Sequence, residues 1–213
     1  MRTDDLIDIL STNVEPVDHR QIVRNIGMAV AAGAAIAVGI VFFVLGPRAG
    51  LTTAAIFIPA LLKVAVTVII LVPASIYLIR LSRPGGERRS SVALVALPFI
   101  AVMLLAALSL TFAPSSHWNA KIFSDDWLEC LVSIPLIAIV PFSVIVLAVR
   151  QMAPTDLART GAFVGLVAGC VSAMGYALHC ADDSVPFIVL WYGGTIALCT
   201  FAGWKLGPKL LRW

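Results

Sequence analysis

The sequence predicts an all-α fold, a polytopic membrane helical bundle with six transmembrane helices and a short cytoplasmic N-terminal amphipathic helix. Three observations predict it. Of 213 residues, 60% are hydrophobic and 13% charged, with a mean hydropathy of +0.98, which is not the balance of a soluble domain. The apolar residues gather into six windows, each close to the roughly 20 residues a helix needs to cross a hydrocarbon core. The basic residues fall on alternate connections between those windows, as they do in membrane proteins of fixed orientation.

The windows lie near 26–46, 56–79, 92–112, 128–149, 161–178 and 185–206. No water is available in a bilayer core, so each segment satisfies its own backbone polar groups as an α-helix. Pro59, Pro73, Pro98, Pro135, Pro141 and Pro186 sit within or at the ends of these spans, where neighbouring helices make them tolerable. Gly161, Gly165 and Gly169 form a small-residue ladder on the fifth span, suited to close helix contact. Lys63 interrupts the second span, and its ammonium is expected to snorkel or to find a partner in the bundle. The first twenty residues are polar and acidic, unlike a cleavable signal. The organisation expected is therefore a cytoplasmic segment over 1–24 followed by a membrane domain over 25–213.

Orientation follows from the charges. Arg20, Arg24, Arg80, Arg83, Arg88, Arg89, Arg150, Arg159, Lys205, Lys209 and Arg212 collect on one side. The other side holds Arg48 and Lys121, with Lys63 near it. The positive-inside rule places both termini in the cytoplasm and turns "ALHCADDS" outward. In a bacterial inner membrane that outer side is the oxidising periplasm.

Cys170 and Cys199 fall mid-span among apolar neighbours, where a thiol packs as a small hydrophobe. Cys130 and Cys180 are expected at one outer face at similar depth, 50 positions apart in sequence. A permanent disulfide, a reversible thiol pair and a thiol–metal site all remain open. Imidazoles and carboxylates nearby (His117, Glu129, His179, Asp182 and Asp183) are candidate accessory groups, because a protonated imidazole favours the reactive thiolate. Their spacing lacks the short CxxC or HxxxH pattern that specifies zinc, so no metal is assigned. Trp118, Trp127, Trp191 and Tyr192 read as interfacial or packing groups.

The head, "MRTDDLIDILSTNVEPVDHRQIVRN", carries Thr3 as a helix cap with Asp4 and Asp5 in the first turn. Leu6, Ile9 and Leu10 share an apolar stripe, flanked by Ile7 and Val14, with Asp8 on the opposite face. Such a short helix is marginal alone. Its acidity disfavours anionic lipid and suits a partner protein with an apolar groove edged by basic groups.

The chain resembles the NrsF-type anti-sigma factors, negative regulators of sigma F. The likeness rests on "TDDLIDIL…EPV" in the head, "WLEC" opening span four and "IPLIAIVPF" within it. Further along it rests on "APT", "GYALHCADDSVPFIVLWY" and the ending "GPKLLRW". The resemblance implies six-span inner-membrane proteins that hold an extracytoplasmic-function sigma factor until an outside stress releases it. It also implies that two periplasmic cysteines, matching Cys130 and Cys180, take part in sensing oxidants or thiol-reactive heavy metals. The partners expected are that sigma factor and the lipid bilayer, with no direct nucleic-acid contact and no cofactor. Catalytic triads and phosphate loops are missing from the sequence, so no enzyme is expected. The rival readings are a membrane thiol-disulfide/quinone oxidoreductase, which would want a CxxC pair or a disulfide relay, and a metal transporter, which would want ionisable residues along the midplane.

Overall fold

The computed structural model describes Thr3 and residues 19–50, 53–83, 93–111 and 127–212. The predicted head helix, with Asp4, Asp5, Leu6, Ile7, Asp8, Ile9, Leu10 and Val14, lies outside the described residues, as does His117. Every regular element among the described residues is helical. In chain order these are α1 (His19–Ile40), continued by a π-helical turn (Val41–Leu45), α2 (Ala54–Leu81), α3 (Ala93–Thr111), α4 (Trp127–Arg150) and α5 (Leu157–Tyr176). A short α6 (Val185–Phe187), a second π-helical turn (Ile188–Tyr192) and α7 (Gly193–Leu210) then run on without a break.

Among the described residues five helices are long and apolar enough to cross a membrane, where six were expected. The third window forms α3, a 19-residue helix over Ala93–Thr111 that is shorter than each of those five. Elsewhere the helices outrun the windows. Helix α1 starts seven residues before Ile26, because Ile22, Ile26 and Ala29 lie on one buried stripe while Arg20 and Arg24 stay off it. Helix α5 starts at Leu157 because Asp156 caps it, accepting from the Arg159 N–H at 2.9 Å. Helix α2 runs 28 residues through both Pro59 and Pro73.

Helix α5 is the centre of the bundle. It packs on α1, α2, α4 and, most extensively, α7, and almost all of its faces are buried. The glycine ladder explains the close approach to α7. A Cβ on Gly165 would run into the Cys199 carbonyl, and one on Gly161 would meet Gly203 and Gly207 backbone. Only hydrogen at those positions allows the two backbones to touch. The outside is the reverse of a soluble surface: Phe43 is 92% exposed, Leu97 68% and Leu136 65%. Large exposed apolar area of this kind fits a lipid-facing wall.

Both π-helical turns lie at the same end of the bundle. Gly46 ends the first with a φ of 81°, a conformation that suits glycine, and its N–H returns to the Val41 carbonyl at 2.9 Å. This end carries the connection 177–184 between α5 and α6, and it is here that the polar groups converge.

Candidate functional site

The site is built from four pieces of chain. The first turn of α4 supplies Glu129 and Cys130, the turn after α5 supplies residues 177–184, and the end of α1 supplies Gly46 and Arg48. The outer part of α2 supplies Lys63.

The structure brings Cys130 and Cys180 together, with Sγ atoms 3.9 Å apart and both residues buried as free cysteines. The reason is local. The chain tightens after α5, with Leu178 N–H bonding to the Gly175 carbonyl at 3.2 Å and His179 N–H to the Tyr176 carbonyl at 2.9 Å, and Cys180 follows directly beside the start of α4. The Cys180 sulfur also lies 3.8 Å from the Asp182 carbonyl. Two tyrosines crowd the pair from below, Tyr176 and Tyr192, with ring centroids 6.2 Å apart. Neither hydroxyl makes a hydrogen bond of ordinary geometry. Each nevertheless acts electrostatically on a sulfur, Tyr192 on Cys180 and Tyr176 on Cys130.

Lys63 is the buried charge of the site, only 1% exposed. Its ammonium donates to the Cys180 carbonyl at 3.1 Å and pairs with Asp183 Oδ1 at 2.7 Å. Arg48 donates through Nη1 to both oxygens of the same carboxylate, at 3.1 and 3.0 Å. Burial alone would raise the Asp183 carboxyl, but the hydrogen bonds and charges of Lys63 and Arg48 prevail and lower it. Lys63 thus finds a partner in the bundle, and the partner is one of the two aspartates read as accessory groups.

The other candidates are each engaged. Asp182 Oδ1 accepts from Ser184 N–H at 2.7 Å, fixing the turn before α6. His179 meets the Gly46 carbonyl through Nδ1 at 2.7 Å and Glu129 through Nε2 at 3.2 Å. Both partners are acceptors, so both bonds form together only when both ring nitrogens carry protons. Among the described residues no group of three or more His, Cys, Asp or Glu side chains could hold a metal ion. Trp127 and Trp191 stack at 4.9 Å, as packing groups do. Tyr192, read from sequence with them, is instead almost completely buried beside the thiols.

For the Cys180 thiol the largest influence is the S–H of Cys130, which favours a Cys180 thiolate. Burial opposes it, while the Lys63 charge, the Tyr192 hydroxyl and the Asp182 backbone assist. The balance lowers the thiol to about 6. A cavity of about 570 Å³ opens beside it, bordered by Arg48, Glu129, Tyr176, His179 and Cys180. Sequence reading missed Arg48, Lys63 and the two tyrosines as parts of this site. One signal was available, a lysine inside an apolar window facing acids at the end of another span. The tyrosines carried no such signal.

Comparison with known proteins places the chain in a family. The family model described as negative regulator of sigma F, NrsF, matches residues 10–213. A probable anti-sigma-F factor NrsF of Azospira oryzae is 29% identical over 213 residues, covering 100% of both chains. An anti-sigma-F factor NrsF of Caulobacter vibrioides is 30% identical over 215 residues, again covering 100% of each. No solved structure matches the chain. With the family model spanning all but the first nine residues, the chain belongs to the NrsF family, the negative regulators of sigma F.

Proposed function

We propose that this protein is an inner-membrane anti-sigma factor that sequesters an extracytoplasmic-function sigma factor through its cytoplasmic N-terminal segment and releases it when Cys130 and Cys180 meet a thiol-directed stress. Membership of a family of negative regulators supports the sequestering role. The observation that carries the sensing role is the approach of two free sulfurs to 3.9 Å at the end of the bundle turned outward by the charge pattern.

The contacts of the 177–184 turn supply a route for the signal. Arg48 N–H bonds to the Leu178 carbonyl at 3.1 Å, His179 bonds to Gly46, and Arg48 grips Asp183. These tie the cysteine-bearing turn to the end of α1, and the other end of α1 leads directly into the sigma-binding segment. Closing a disulfide is typically worth about 2–4 kcal/mol. A difference of that size between two bundle packings shifts their ratio by roughly 30- to 1,000-fold. That range is sufficient to free a bound partner.

The test is a reporter driven by the cognate sigma factor. Deleting residues 1–20 turns the reporter on without stress while the truncated protein stays in the membrane. A silent reporter with the truncated protein present would refute the sequestering role.

A further inference from the structure

We propose that the two sulfurs have different jobs: Cys180 reacts first with a two-electron oxidant such as a peroxide, Cys130 resolves the product to a disulfide, and Lys63 is the positioning residue that assigns the first step to Cys180. This rests on the thiol-switch reading above and deepens it.

Access is the first argument. Both residues are buried, at 0% exposed for Cys130 and 2% for Cys180, but the open cavity of about 570 Å³ borders Cys180 and not Cys130. An oxidant arriving from that cavity therefore meets one sulfur before the other.

The second argument is the placement of charge. Lys63 carries an ammonium into a 28-residue apolar helix, where an unpaired charge costs several kcal/mol. A neutral amide would suffice merely to hold the Cys180 carbonyl. The ammonium instead sets a positive charge against the Cys180 backbone, close enough to favour a thiolate on the same residue. Asp183 pairs with Lys63, but Arg48 shares the same carboxylate, so the cluster of two cations and one anion keeps a net positive charge. Asp182 is engaged by the Ser184 N–H and Glu129 by His179. Cys130 has a competing advantage, since it sits in the first turn of α4 where the helix dipole favours an anion. Glu129 in the same turn already occupies that favourable field with its own charge. The proton that remains on Cys130 is the one donated to Cys180, and the two sulfurs titrate as a pair.

The chemistry closes without a further reagent. The Cys180 thiolate attacks a peroxide oxygen, the O–O bond breaks, and hydroxide leaves to become water by taking a solvent proton. Cys180 is now a sulfenic acid. The Cys130 sulfur attacks it, the S–O bond breaks, and water departs with the Cys130 proton. The sulfurs close from 3.9 Å to about 2.05 Å. The pair loses two electrons and the peroxide gains them.

The experiment uses full-length protein in native membranes, hydrogen peroxide, and dimedone to trap sulfenic acid, with adducts mapped by mass spectrometry. In Cys130→Ser membranes the adduct forms on Cys180. In Cys180→Ser membranes an adduct on Cys130 forms at least about tenfold more slowly. Equal or faster trapping on Cys130 would overturn the assignment. The role of Lys63 is read from the pH profile of iodoacetamide labelling at Cys180 with the pair intact. Lys63→Gln moves the midpoint upward by about one unit, slowing labelling near pH 6.5 by about threefold, and Lys63→Arg restores it. An unchanged midpoint in Lys63→Gln means that the lysine only braces the turn, and its assigned role fails. Should Lys63→Gln not accumulate, Lys63→Gln with Asp183→Asn removes both charges together and is read the same way. The sigma reporter separates this inference from the reading beneath it. Peroxide induction with Cys130 trapped first sinks the inference alone, whereas ordered trapping with a silent reporter sinks the switch.

Discussion

The protein has two pairs of cysteines, and all four are buried, so burial does not distinguish them. Their neighbours do. Cys170 and Cys199 lie where α5 meets α7, among backbone and apolar side chains; Gly165 seats directly against the Cys199 backbone, and Gly169 lies beside its Cβ. Those thiols fill volume in a helix seam. Cys130 and Cys180 sit at the end of the bundle, with a lysine, two tyrosine hydroxyls and an open cavity around them. The lesson is that reactivity follows the charge and access around a thiol, and that two equally hidden sulfurs can serve opposite purposes.

The comparison can be broken most decisively at the sulfurs themselves. Cys130→Ser or Cys180→Ser abolishes oxidant induction of the sigma reporter, while Cys170→Ala leaves it intact. Loss of induction from the mid-span variant, with protein levels unchanged, would erase the distinction. The next largest effect falls on the packing pair. Gly165→Ala forces a methyl into the Cys199 carbonyl and destabilises the bundle by about 1–3 kcal/mol, visible as a lower Tm in detergent. A variant that melts like the parent would show that α5 and α7 are not in backbone contact.

Smaller effects sharpen the polar end. Asp183 has its carboxyl lowered by Lys63 and Arg48. A lowered folded value means that the stability it contributes is present above the unfolded value near about 3.9 and is lost as pH falls through the folded one. Protection of the 177–184 amides from hydrogen exchange, relative to their intrinsic rates at each pH, therefore falls in acid, and Asp183→Asn shows the lower protection already at neutral pH. Least of all, Glu129→Gln costs about 0.5 kcal/mol or less, because Glu129 is 45% exposed and its bridge to His179 is screened by water. A larger loss of Tm would give that bridge a structural importance equal to that of Lys63.

Much of this was legible in the chain before folding was considered. The helical class, the apolar windows and the glycine ladder depend on composition and short periodicities, and the helices appear at those windows with shifted ends. The ends shifted where a local device intervened, such as the Asp156 cap, or where a buried stripe such as Ile22 and Ile26 extended a helix past its apolar run. The third window, read as a span, forms the shortest of the six long helices among the described residues.

By itself the sequence determined which residues prefer lipid or water, and so roughly where the helices fall and which thiols lie near an end. Those preferences act within about one helical turn or along one strip of surface, and a single chain displays them in order. Only the tertiary structure decided that Lys63 and Cys180, 117 positions apart, share a hydrogen bond, and that Arg48 and Asp183, 135 apart, form an ion pair. Contacts of that kind arise when α2 and the end of α1 settle against α5, and their geometry depends on how closely glycine lets the helices approach. No local pattern encodes that distance, so the environment of the thiols emerged only from the packed bundle.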